Sequence, residues 1–279
     1  MAEVNVQTPA DSSPLSQLRR GRLTLRGMLL QLRAFIALIL LYAFFAIVSD
    51  AFMTQNNQVI LAKQVAINAV LGIGMTFVIL TGGIDLSVGS IVGLTGMVTG
   101  MLIHRGLILT PLDRVVYFNV WIIGLIAIGV GMLIGLINGI LVTRFRVAPF
   151  IATLGTLYMA RGLALLSNNG ATFPNLVGKP ELGNTGFPEL GRGALLGLPY
   201  SIWIMIALGL LATFITRKTP FGRQVYAIGG NQRAAQLSGV RVKTVTMMTY
   251  VISGFCAAVV GLIISSQLIA AHPATGDGF

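Results

Sequence analysis

The sequence predicts an all-α, polytopic helical membrane protein, on three observations. The 279-residue chain is 55% hydrophobic and only 10% charged, with a mean hydropathy of +0.85, a balance far from that of soluble domains. Several apolar stretches approach or reach the roughly 20 residues a helix needs to cross a hydrocarbon core of about 30 Å. No stretch alternates with the period of two that a membrane barrel requires. The 34 glycines supply small surfaces through which membrane helices approach closely.

The chain opens with a polar segment, 1–33, that carries Pro9 and Pro14 and then Arg19, Arg20, Arg22, Arg26 and Arg33. It reads as a cytosolic basic tail, its Arg-rich part at 15–32 suited to a short amphipathic helix on the membrane surface. It is not read as a secretory signal, because the leader is too long and no small-residue cleavage site is evident. The membrane domain follows at 34–279, with candidate spans near 34–49, 58–81, 84–103, 116–142, 148–167, 195–216 and 245–270. That makes about seven spans, a minimum count, since a Gly-Gly break near 80–90 can divide a span into half-helices.

Basic residues orient these spans. The tail, the connector with Arg144 and Arg146, and the segment 217–243 with Arg217, Lys218, Arg223, Arg233, Arg241 and Lys243 all fall on one side. The positive-inside rule makes that side the cytosol and puts the amino terminus there. The loop at 168–194, which balances Lys179 and Arg192 against Glu181 and Glu189, then falls outside. The net charge of +11 is thereby read as topology control rather than nucleic-acid binding, since no basic domain exists. Cys256 is the single cysteine, so no intrachain disulfide forms. His104 and His272 stand apart, and no metal site is expected. No phosphate-binding loop, GxSxG, HExxH or carboxylate cluster is present, so no catalytic machinery and no bound cofactor is expected.

Three constellations carry the functional expectations. From Gln64 to Ile103, a run long enough for two spans, Asp85 is the only charge. Ionisable groups in such a place are expensive and therefore functional suspects. Gly82 and Gly83 allow an unwound turn before it, and Asp85 or Ser87 is placed to cap the following helix. Two readings stay open: a substrate-pathway element formed by Gly82, Gly83, Asp85, Ser87 and Gly89, or a hairpin at the cytosolic surface in which Asp85 only caps a helix. Asn68 on the preceding span is a weaker pathway candidate, expected to bond a neighbouring helix. Arg161, well inside the fifth span near its outer end, either snorkels to the headgroups or lines the path. Pro149 and Asn138 are explained by bending or interhelical bonding.

The remaining constellation is 217–243, far longer than a connection needs. Asn231 is expected to cap a short helix, Ala234 and Ala235 to favour it, and Gly239 to stop it. Such a helix either seats in a groove on a partner or lies on anionic lipid.

TGGIDLSVGS at 81–90, NGILVTRFRVAPFIATLGTLYMARG at 138–162 and TPFGRQVYAIGGNQRAAQLSGVRVKT at 219–244, followed by YVISGFCAAVVGLI at 250–263, occur in that order. Together they resemble the permease subunits of bacterial sugar ABC importers of the ribose, xylose and arabinose branch, from about residue 35 onward. The resemblance implies a multi-pass protein of the bacterial inner membrane that carries a monosaccharide, a pentose or a related sugar, into the cytosol. It implies a permease pair as homodimer, cytosolic subunits that bind and hydrolyse ATP in place of any enzyme activity here, and an external sugar-binding protein.

Importer permeases dock their ATPases through an E-A-A-x-x-x-G loop. Arg233, Ala234, Ala235 and Gly239 fit its spacing, with Arg233 in place of the acid. The resemblance thus implies that 217–243 is the coupling loop, with Arg223 and Asn231 in it and Ala234, Ala235 and Gly239 as its contact core. Members usually continue past a GDGF-like segment, whereas this chain stops at Gly276-Asp277-Gly278-Phe279, so the C-terminal part of the family domain is expected to be missing. The alternatives are a gradient-driven secondary transporter using Asp85 and a truncated, inactive permease fragment.

Overall fold

The protein is described by a computed structural model over residues 25–109 and 113–279, with side chains from Leu32 onward apart from 109–112. The tail expected at 1–33 lies mostly outside the described residues; its final part already belongs to the first helix, α1 (Leu25–Val48). The chain divides into two units, 1–58 and 59–279.

In the first unit, α1 ends in a tight turn whose aromatic and amide side chains hold it. Phe52 packs edge-on against Tyr42 at 5.0 Å between ring centroids and stacks with Phe45 at 5.8 Å. The Tyr42 hydroxyl donates to Gln58 Oε1 at 2.7 Å. Large apolar side chains of α1 such as Phe35, Ile39 and Ile47 are exposed, the surface expected of a helix solvated by hydrocarbon.

The second unit contains most of α2 (Gln55–Leu80), then α3 (Val88–Arg105), a hairpin of β1 (Leu107–Leu109) and β2 (Arg114–Val116), α4 (Val120–Thr143) and α5 (Pro149–Leu166). After them come the short α6 (Phe187–Arg192), a hairpin of β3 (Ala194–Leu195) and β4 (Leu198–Pro199), α7 (Tyr200–Lys218), α8 (Pro220–Gly230), α9 (Gln232–Leu237) and α10 (Val242–Leu268). Among the described residues five helices, α2, α4, α5, α7 and α10, are long and apolar enough to cross a membrane, and Leu32–Val48 is a shorter apolar helix. The fold is thus all-α and polytopic, while the expected count of about seven includes α1 and α3 beyond these five.

Local chemistry explains most boundaries. Asn119 caps α4 by accepting from the Ile122 amide at 2.9 Å. Pro149 does not interrupt a helix: it occupies the first turn of α5, where its missing N–H costs nothing. The break at 80–87 yields two complete helices rather than half-helices. Gly82, at φ +79°, ends α2 in the left-handed region, with the Gly82 and Gly83 amides returning to Ile79 and Val78.

Helix α10 is the most buried of the five membrane-length helices and packs chiefly on α4 and α3. The α4–α10 contact is a backbone approach: a Cβ at Gly131 would meet the Gly254 carbonyl at 2.6 Å, and one at Gly254 would meet the Gly131 carbonyl. Small residues at such crossings replace the hydrophobic drive that lipid cannot supply between helices. Helix α7, by contrast, buries little beyond Ser201.

Candidate functional site

The Asp85 carboxylate is buried, with 2% of the residue exposed, and both its oxygens are used. Oδ1 accepts from the Ser87 amide at 3.0 Å and the Ser87 hydroxyl at 2.6 Å. Oδ2 accepts from the Ser253 hydroxyl on α10 at 2.7 Å. The bond from Asp85 to the amide two residues on closes an Asx-type turn, which Asp forms readily. Ser87 stands at the cap position of α3, yet its side chain does not bond the α3 amides. The capping expected of Asp85 or Ser87 is therefore replaced by a turn that faces inward.

The network continues through Ser87 Oγ, which accepts from Asn138 Nδ2 on α4 at 2.8 Å. Asn138 Oδ1 in turn accepts from the Thr156 hydroxyl on α5 at 2.6 Å. One chain of buried groups thus joins the α2–α3 junction to α4, α5 and α10. Among the described residues no cation lies within ion-pairing distance of Asp85. The carboxyl group is held by neutral donors alone, through three bonds of 2.6 to 3.0 Å that fix its orientation.

Gly83 serves a close approach. A Cβ there would meet Tyr250 Oη at 2.6 Å and Val78 Cγ1 at 2.9 Å. With Gly82 it lines a cavity of about 720 Å³ together with Thr81, the α4–α5 connector, α9 and the start of α10. Asp85 and Ser87 do not line it.

The other candidates lie elsewhere. Asn68 is exposed and donates to its own helix, to the Gln64 carbonyl at 3.0 Å. The bond expected to a neighbouring helix is absent, because the amide reaches its own i−4 carbonyl. Arg161 neither snorkels outward nor joins the Asp85 network. Its guanidinium bonds the carbonyls of Pro273 and Thr275 and pairs with Asp277, holding the 273–277 segment against α3 beside Gly93.

In the 217–243 segment, Thr219 accepts from the Gly222 amide at 3.3 Å and Pro220 opens α8. Asn231 accepts from the Ala234 amide at 2.9 Å and caps α9, and Gly239 follows at φ +84°. Ala235 turns inward, into a small core with Val225, Ile228 and Val245. That removes it from any surface offered to a partner. Arg223, Asn231, Ala234 and Gly239 are exposed, and Leu237, absent from the expected contact core, is 81% exposed.

Thr156, Ser253, Tyr250 and Leu237 were not singled out by sequence reasoning. Serine and threonine recur along these apolar helices, and no spacing distinguishes those that reach Asp85 from those that bond their own helix. Among the described residues no group of His, Cys, Asp or Glu is placed to hold a metal ion.

An all-α fold with several apolar membrane-length helices, tied together by buried polar groups, defines a polytopic helical membrane protein. The chain belongs to the permease family described as "Branched-chain amino acid transport system / permease component", which matches residues 57–279. It is similar to the ribose import permease protein of Haemophilus influenzae, 36% identical over 251 residues, covering 90% of this chain and 73% of that protein. It is similar also to the ribose import permease protein of Bacillus subtilis, 38% identical over 263 residues (94% and 77%). The D-allose transport system permease protein of Escherichia coli is 34% identical over 245 residues (88% and 70%). No solved structure matches the chain. It is a multi-pass membrane permease.

Proposed function

We propose that this chain is the membrane-spanning permease of an ATP-driven importer of a monosaccharide, a pentose such as ribose or a related sugar. The substrate class follows the printed names of the relatives, which carry sugars although the family description names amino acids. ATP is bound and hydrolysed by a separate cytosolic subunit, an external binding protein delivers the sugar, and two permease chains pair to form the pore.

The observation that carries the coupling assignment is the placement of α8 and α9. They are packed on the membrane helices through Val225, Ile228, Ala235 and Val245, with Phe77 and Phe221 at 6.2 Å between ring centroids. A push on α9 is thereby passed to α2 and α10 rather than absorbed in a loose loop. The outer surface leaves Arg233, Ala234 and the apolar Leu237 exposed, and a partner that covers Leu237 removes its apolar surface from water. Leu237→Glu is expected to abolish co-purification of the ATPase subunit and sugar uptake while leaving the permease in the membrane. Unchanged co-purification would remove the coupling role from α9.

Gly82 and Gly83 are proposed to flank the path by shaping the α2–α3 junction, and Asp85 and Ser87 to position that junction without touching sugar. A gradient-driven carrier using Asp85 is not favoured: the carboxylate is occupied by three donors and does not line the cavity. Uptake that survives ATP depletion and follows a proton gradient would reverse this.

A further inference from the structure

The positive-inside pattern puts Arg146, Arg241 and Lys243 on one side of the membrane, but it does not require that they line one cavity, as they do beneath the Gly82-Gly83 turn. Its walls include three cations, Arg146, Arg241 and Lys243, with the amide side chains of Gln232 and Gln236 and the hydroxyls of Thr81, Thr143 and Thr244. It has no carboxylate: the sequence contains no Asp or Glu between Asp113 and Glu181, or between Glu189 and Asp277. Asp85, the nearest acid in sequence to the lining glycines, is occupied in the interior by Ser87 and Ser253. Among the described residues, none of the three cations has a hydrogen-bonding or ion-pairing partner within the chain. All three side chains are exposed, so water screens their mutual repulsion in part, and an anion held among them lowers it further.

A second, independent feature points the same way. Two long helices begin at this cavity, α5 at Pro149 and α10 at Val242, and both lack a capping side chain. Pro149 has no N–H and the Val242 amide is bonded to the Val240 carbonyl, so what the two helix starts offer an anion is the amides of Phe150, Ile151, Lys243 and Thr244 and the positive ends of the dipoles. Arg146 itself sits at φ +58°, a left-handed conformation that a non-glycine residue holds only where its surroundings require it.

The lining is mixed in a way that suits one source of anion. Val142, Val147, Val240 and Val242 share the walls with the cations. Phe145 and Phe150, next in sequence to the lining Arg146 and Pro149, are 68% and 53% exposed. The cavity lies at the ends of α4, α5 and α10, where membrane helices meet the headgroup layer. We propose that it is a binding site for a phosphate oxyanion, presented by the headgroup of an anionic phospholipid whose acyl chains lie along the adjacent apolar surface. Basic pockets between membrane helices take such headgroups by charge and by hydrogen bonds. The site does not depend on which sugar is carried or on how transport is driven.

The test is lipid retention by the full chain after reconstitution into vesicles of phosphatidylcholine with a minor share of phosphatidylglycerol, read by native mass spectrometry. The wild-type chain is expected to retain phosphatidylglycerol in preference to phosphatidylcholine. The triple variant Arg146→Gln, Arg241→Gln, Lys243→Gln loses that preference. The charge-preserving triple Arg146→Lys, Arg241→Lys, Lys243→Arg keeps it, which separates loss of the site from loss of the fold. Inorganic phosphate is the second probe: thermal stabilisation of wild type but not of the Gln triple, without a lipid preference, keeps the oxyanion site and makes its source soluble. Equal lipid retention and equal phosphate response in wild type and Gln triple overturn the proposal. So does unchanged retention combined with lost ATPase co-purification, which would make the cations a protein-docking patch.

Discussion

Asp85 and Arg161 are both charges set among apolar helices, and the chain satisfies them in opposite ways. Asp85 is enclosed and bonded only by neutral groups, drawn from its own turn and from α10. Arg161 has a side chain 15% exposed and meets a true counter-ion, Asp277, whose own side chain is 66% exposed. A carboxylate held by a fixed set of donors is sensitive to their geometry, so Asp85 organises the elements that bring those donors. An ion pair open to solvent tolerates rearrangement. The first is a joint between helices, the second a fastening for a segment.

The largest expected effect lies at the joint. Asp85→Ala strands the Ser87 and Ser253 donors in a buried site, and is expected to lower stability by about 3 kcal/mol, measured by thermal unfolding of the reconstituted chain. Asp85→Asn keeps an acceptor and should cost roughly half as much. If Asp85→Ala were as stable as wild type, the joint would have no structural weight.

Gly83→Val forces a side chain toward Tyr250 Oη and Val78, at an expected cost of about 2 kcal/mol from overpacking. Tyr250→Phe removes the atom 2.6 Å from that Cβ position and should return part of the loss. A double-mutant cycle measures that coupling, and strict additivity would show the approach to be unimportant.

Asn138→Leu is next: it breaks the bonds to Ser87 and Thr156 together, for about 1.5 kcal/mol. Its effect should shrink in an Asp85→Asn background, since the two act through Ser87. The smallest effect is expected at the fastening. Asp277→Asn removes an exposed partner and should change stability by less than about 0.5 kcal/mol. Arg161→Gln also gives up the Pro273 and Thr275 carbonyls and should cost more. A larger loss at Asp277 than at Asp85 would invert the comparison.

Much of the fold was legible because its determinants are local or compositional. Apolar runs of spanning length became α2, α4, α5, α7 and α10, and Asn231 and Gly239 bound α9 because capping needs only a side chain and the amides beside it. Pro149 misled because proline breaks a helix interior but suits a first turn, and the two positions look alike until the start is known. Asp85 stood out as a lone charge with Ser87 beside it, but its partner on α10 did not: Ser253 is 168 residues away, and no local pattern marks it. Ala235 and Leu237 show the same limit. Both lie on one short helix, and only the packing of α9 turns the alanine inward and leaves the leucine outside.

By itself, then, the amino-acid sequence determined that this chain is a helical membrane protein, where its long helices lie, and that its Gly-Gly-Ile-Asp turn is exceptional. Hydropathy, capping and backbone freedom act over a few residues, so they can be read in order along the chain. Tertiary structure alone decided that Asp85 binds Ser253, that Arg161 holds the 273–277 segment, and that Arg146, Arg241 and Lys243 face one cavity. Those facts depend on which helices cross, and in lipid that choice rests on close packing and shared hydrogen bonds between residues far apart in the chain.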